Sequence, residues 1–312
     1  MPFSTADMLL AANALPLSFN LILCLAAVAL PAMAGINELS AHSRRQVFAR
    51  RSAQQTSPLG LVLIGYTSLV AGGAAYMIAT RSGGDLLEAF ALPALAPLGA
   101  WILLAVIHAV TWKSTKGQPV AHAFLGLLAG ASGLVGVHAV AALARASLGP
   151  VHAGSDGGPD VGILLAPAIA DAHWPILAHL TLVAFAGAAA ISIIWLFLRR
   201  NKDDWGRDYY VFAMRLASSR ASLALFAAIC VQGWLVASLK NVPPAILMRN
   251  DIGLPWAAGL VLGAVAAWLF FRLSRSEHPM RGKASAAAAI VCLWLMVAGE
   301  IFSLLRYLLL MF

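Results

Sequence analysis

Eight continuous apolar stretches run through this 312-residue chain, at about 14–34, 59–80, 92–112, 119–145, 172–198, 218–239, 254–272 and 284–305. Each is near the roughly 20 residues an α-helix needs to cross the hydrocarbon core of a bilayer. Inside lipid every backbone N–H and C=O must be paired within the protein, which leaves only helices and closed barrels. Barrel strands read as ten-residue alternations; these runs are unbroken. The expected fold is therefore all-α: a polytopic membrane helical bundle with eight transmembrane helices, forming a single integral membrane domain over 1–312. Composition agrees. Hydrophobic residues make up 61% and charged residues 11%, against about 25% charged in soluble domains. A soluble globular enzyme and a disordered chain are both excluded.

Basic residues set the orientation. The loops after the first, third, fifth and seventh spans, with the adjoining span ends, hold sixteen of the 21 Lys and Arg residues, among them Arg44, Arg45, Lys113, Arg199, Arg200, Arg272 and Arg275. The opposite side holds five: Arg81, Arg145, Lys240, Arg249 and Arg306. Basic loops stay on the cytoplasmic side, so both termini are expected outside, in a multi-pass protein of a bacterial inner (cytoplasmic) membrane. Inner-loop charge accounts for the net +8, with membrane lipid rather than nucleic acid as the surrounding partner. The tail Met1 to Asn13 has no basic residue and so lacks the n-region of a cleaved signal peptide. Cys24, Cys230 and Cys292 lie in apolar runs without CxxC or CxxCH spacing. Covalent c-type haem and cysteine-ligated zinc or iron–sulfur sites are thus unsupported.

Three further segments stand out. Residues 146–171 form the longest outer connection, rich in Gly and Pro and carrying Asp156, Asp160 and Asp171; it is a candidate docking segment for an outer partner, or a linker. The inner segment 199–217 mixes charges with Trp205, Tyr209 and Tyr210, in the manner of an interfacial aromatic belt. The fourth span carries Gly126, Gly130, Gly133 and Gly136. These suit close helix packing, or a slot admitting a flat macrocycle.

Polar and ionisable side chains are expensive in a bilayer and tend to be functional. The candidates within the spans are His108, His122, His138, His179, Gln232 and Glu300, while His42, His152 and His278 fall in loops. Counted at 1.5 Å per residue, His108 and His122 lie about 5–6 Å inside the inner boundary, and His138 and His179 about 10–12 Å inside the outer one. Two depth-matched pairs on consecutive helices suit a b-type haem, whose iron takes axial imidazoles from facing helices. His122 and His138 are 16 residues apart, about 160° around a straight helix, so one face of that helix does not serve two stacked haems. The outer pair, His138 and His179, is the preferred ligand set; His108 and His122 would hold a second haem, bind quinone, or be interfacial. Glu300 reads as a proton-path acid or as a partner of Arg306 or of a neighbouring helix. Gln232, with Trp234 and Lys240, would line a quinol pocket or anchor the helix at the interface.

The stretch HWPILAHLTLVAFAGAAAISIIWLFLRR, followed by YYVFAMRLASSRASLALFAAICVQGW, resembles a helix pair in the large subunit of cytochrome bd quinol oxidases. There a histidine near the outer end of a small-residue helix ligates the low-spin haem, so the resemblance implies that role for His179. It is confined to residues 173–234. The first span has no histidine, and no GRQPW-like stretch occurs, so oxygen reduction is not implied. More generally the chain resembles respiratory membrane b-type cytochrome subunits. On that footing it is expected to pass electrons between membrane quinone and a peripheral redox partner. It would hold one or two haems b, alongside other subunits of a membrane redox complex such as a periplasmic cytochrome c or an iron–sulfur subunit. Two other readings are open: a haem-free membrane anchor of an oxidoreductase, and an eight-span metal transporter. The scattered methionines rank the transporter lower.

Overall fold

Long apolar runs rich in Ala and Leu favour helix throughout, and the computed structural model is helical wherever it forms regular structure. It describes residues 5–82, 84–115, 117–148, 161–203, 205–239 and 242–311. The helices are α1 (Thr5–Arg44), α2 (Val47–Ser82), α3 (Gly84–Val110), α4 (Pro119–Leu148), the short α5 (Val161–Leu165), α6 (His173–Arg199), α7 (Arg207–Ser238), the short α8 (Pro244–Leu247), α9 (Asn250–Arg275) and α10 (Lys283–Met311). Among the described residues, eight are long and apolar enough to cross a membrane, matching the eight runs of the sequence. Large apolar side chains such as Leu69, Leu92, Tyr76 and Leu223 stand 70% exposed or more. A lipid-facing surface requires that; a water-facing one would be penalised for it.

Helices overrun the apolar runs at most ends. The first run ends near 34, yet α1 continues to Arg44; the second begins near 59, yet α2 starts at Val47. Hydropathy marks where lipid contact stops, whereas i to i−4 hydrogen bonding continues past it. The overrun of α1 is packed: Asn37 is 3% and Glu38 1% exposed. The segment 199–217 is also largely helix. Gly206, at φ 80°, makes the turn that lets α7 begin at Arg207, a backbone region that favours glycine. Tyr209 and Tyr210 are buried, and the Tyr210 hydroxyl donates to the Arg199 and Asp203 carbonyls. The expected aromatic belt is therefore a packed tyrosine pair at the start of α7.

The chain forms two compact units, residues 27–177 and residues 1–26 with 178–312. In the 27–177 unit α3 packs against α4 and α2. The glycines of α4 admit neighbouring helices. A Cβ at Gly126 would lie 2.7 Å from the Pro31 carbonyl, one at Gly133 2.8 Å from Val28 and 3.0 Å from Trp101, and one at Gly136 2.5 Å from Leu98; at Gly130 it would meet Ala32. Side chains and backbone thus occupy the face where a macrocycle slot was the other reading. This is small-residue helix packing.

In the other unit α9 packs between α7 and α10. A Cβ at Gly259 would lie 2.9 Å from the Met296 carbonyl, and one at Gly299 2.6 Å from that of Pro255. Interhelical hydrogen bonds reinforce the packing: Ser222 to the Ala267 carbonyl (2.8 Å), Ser303 to the Ile252 carbonyl (2.8 Å) and Trp294 to the Leu15 carbonyl (3.0 Å).

Candidate functional site

Buried polar side chains gather in three clusters. The first lies in the 27–177 unit. Thr111 and Thr115 turn the chain after α3 by bonding back to Ile107 and Thr111, and Pro119 opens α4 at the first helical position, where proline is favoured. The tight connection lays His122, one turn into α4, over His108, near the end of α3. The rings stack at 4.4 Å between centroids and 22° between planes. Glu38 arrives from α1. His122 Nδ1 is 2.6 Å from Glu38 Oε2, and His122 Nε2 is 2.9 Å from the His108 carbonyl. A carbonyl only accepts, so Nε2 carries a proton, and a second proton is shared between Nδ1 and Glu38. His108 Nε2 lies 4.0 Å from Glu38 Oε2 and has no hydrogen-bond partner. The three side chains are at most 1% exposed. Trp112 sets its ring against both histidines, held by a 3.2 Å bond from its indole N–H to Ser57 Oγ. A cavity of about 10 Å³, room for about one water, has His108, Ser57 and Ile64 in its wall.

The second cluster lies in the same unit. His138 Nε2 donates to the Leu165 carbonyl (2.9 Å), and its Nδ1 meets His173 Nε2 at 2.8 Å. Trp174 stacks on His138 with 11° between planes, its indole N–H bonded to the Pro167 and Ala168 carbonyls. The Asp171 carboxylate, just before α6, accepts from the His173 amide (2.8 Å), an Asx turn. The described part of the 146–171 connection is thus folded onto His138, with Val161 and Leu165 packed on Phe90, Ala142 and Leu143. Residues 149–160, with Asp156 and Asp160, lie outside the described residues.

The third cluster joins α6, α7, α9 and α10 in the other unit. His179 Nε2 is 2.9 Å from Glu300 Oε2, and its Nδ1 is 3.3 Å from the Ala228 carbonyl and 3.1 Å from Gln232 Nε2. Gln232 Nε2 donates to Glu300 Oε1 (2.9 Å), and Trp256 donates to Gln232 Oε1 (3.3 Å). Of the partners read for Glu300, neighbouring helices supply those it has. Arg306 bonds Asp251 instead (3.0 Å). Gln232, expected at a quinol pocket or the interface, is 4% exposed and belongs to this cluster.

The structure thus brings His108 to His122, and His179 to Gln232 and Glu300. It pairs His138 with His173, six residues before His179. Depth counting favours His179, six residues deeper along α6 than His173; it carries no azimuth, and the pairing of His138 with His173 escapes it. Glu38 and His173 were missed because each sits at the margin of an apolar run. The signal for Glu38 was the continuing helical spacing of Ile36 and Leu39 around it.

A haem was expected on these histidines. A bis-imidazole iron takes its two nitrogens from opposite sides of the macrocycle. Both ring nitrogens of His138, and both of His179, are engaged by protein atoms of their own unit. His108 and His122 lie face to face, and the glycine face of α4 is filled. In this arrangement the residues do not fit a haem.

These features define a multi-pass helical membrane protein with two compact units and buried histidine–carboxylate clusters. No family model and no curated protein matches the sequence. Among solved structures, a chain of the bd oxidase from Geobacillus thermodenitrificans matches with a TM-score of 0.74, over 96% of this chain and 87% of that one, at 12% identity. The likeness to bd oxidases, carried in the sequence by spans five and six alone, extends at the level of fold to nearly the whole chain.

Proposed function

We propose that this chain is a membrane subunit of a respiratory, quinone-linked oxidoreductase complex, and that the haem of that complex is held by a partner chain rather than by His138, His179, His108 or His122. The fold carries the reading: a bd oxidase chain matches it at 0.74 over 96% of its length. The engaged imidazoles support the assignment of haem elsewhere. Of the sequence readings, the haem-free membrane subunit is the one this geometry favours. His179 with Glu300 serves as a proton-sharing pair, which holds a proton in a low-dielectric setting without leaving a net charge, while His138 with His173 serves as a neutral imidazole pair.

Purification of the full chain in mild detergent from the cells that make it tests this. A haem-bearing integral membrane polypeptide is expected to co-purify. The reduced-minus-oxidised spectrum should belong to that partner and be unchanged by His138→Ala and by His179→Ala. Haem in stoichiometric amount on the isolated chain, lost in either variant, would restore the b-type cytochrome reading. Isolation from native membranes with no redox-active partner would sink the oxidoreductase reading.

A further inference from the structure

Two imidazole nitrogens and a carboxylate oxygen converge in the 27–177 unit: His108 Nε2, His122 Nδ1 and Glu38 Oε2, all within 4.8 Å of one another. We propose that Glu38, His108 and His122 form a binding site for one divalent transition-metal ion of the zinc class. The donor set is the first argument. Two imidazoles and one carboxylate are a three-ligand zinc set that leaves a fourth position open. Imidazole favours zinc, copper, iron or nickel over magnesium or calcium.

Orientation is the second argument. The Nε2–H of His122 donates to the His108 carbonyl at 2.9 Å, which fixes Nδ1 as the atom facing Glu38. Metal-ligating histidines commonly give their other N–H to a carbonyl in this way. The third argument is the orphan. His108 is 1% exposed, and its Nε2 has no hydrogen-bond partner. A buried polar atom left unpaired is costly, and a cation between it and Glu38 removes that cost. The ligand atoms are near enough for one ion, once the stacked rings, 22° between planes, splay to aim both lone pairs at it. Zinc–ligand bonds near 2.0–2.2 Å put tetrahedral ligand atoms about 3.3 Å apart. The observed separations from Glu38 Oε2, 2.6 Å to His122 and 4.0 Å to His108, straddle that value. On binding, the proton shared by Glu38 and His122 leaves to solvent, and water or a small anion takes the fourth position.

The test uses the full chain with a tag that contains no histidine, in detergent, stripped by chelator and re-equilibrated with Zn²⁺ or Co²⁺. Elemental analysis should give about one metal per chain, and Co²⁺ should show the visible bands of a four-coordinate N/O site. Glu38→Gln and His108→Asn should each weaken binding by more than the roughly 10–100-fold that loss of an outer hydrogen-bond partner costs. X-ray absorption at the zinc edge of the wild-type protein should show two imidazoles, which decides the matter even where a variant fails to fold. Metal binding equal in wild type and variants, no metal retained by wild type, or a zinc spectrum without imidazole would each overturn the site and leave the cluster a proton-sharing one only.

Discussion

At the scale of single residues, Glu300 has the most to lose. It accepts from Gln232 and meets His179 Nε2, both at 2.9 Å, and it is the common partner of two other polar side chains. In Glu300→Ala those partners keep their burial and lose their bond. Each orphaned group costs about 1–3 kcal/mol, so a clear fall in the thermal midpoint of the purified protein is expected. Glu300→Gln keeps an acceptor for Gln232 and offers an amide N–H to His179, so its midpoint should lie nearer wild type. An alanine variant that melts with wild type would show that the cluster contributes nothing to stability. The sequence already marked His179, Gln232 and Glu300 as expensive residues needing a reason. It did not group them, because three helices distant in sequence meet there and no local spacing records that meeting. Glu38 was less legible still: a hydropathy window ends where α1 turns polar, and only packing shows that the polar turn is buried.

At the scale of helices, the number and type of elements were readable because lipid admits so few solutions. Their ends were not, since helical hydrogen bonding ignores the apolar boundary. Glycine patterns left two readings open, and contact distances choose packing. They also separate glycines that matter from those that do not. A Cβ at Gly299 would come within 2.6 Å of the Pro255 carbonyl, a backbone atom that moves only with its helix, whereas one at Gly233 meets nothing within 4 Å. Gly299→Ala should therefore push α10 from α9 and destabilise by about 1–3 kcal/mol, the usual cost of overpacking. Gly233→Ala should be neutral or slightly stabilising, since alanine is the better helix former. Thermal unfolding of the two variants side by side measures the difference; equal effects would mean that the α9–α10 approach is not limited by the glycine.

At the scale of the whole molecule, the orientation in the membrane is a reading of charge, and side-chain placement marks where the helices meet the interface. The last turns of α6 and α9, both assigned to the inner side, carry cations on aromatic rings: Arg199 5.3 Å from the Trp195 ring centre, Arg272 5.0 Å from Trp268 and Arg275 5.4 Å from Phe271. Arginine stems lying along aromatic residues at helix ends are interfacial anchors. On the opposite side, Arg249 and Arg306 share Asp251, each at 3.0 Å, which tempers the little basic charge present there. The expected topology has the α6–α7 turn in the cytoplasm and the segment between α7 and α9 outside. Lys202 in the first is exposed, and Met248 in the second is 81% exposed. In a background with Cys24, Cys230 and Cys292 replaced, Met248→Cys should react with a membrane-impermeant maleimide on intact spheroplasts. Lys202→Cys should react only once the membrane is opened. The reverse pattern would invert the assignment and put both termini inside. Reaction at both positions in sealed cells would mean that α7 does not cross the bilayer.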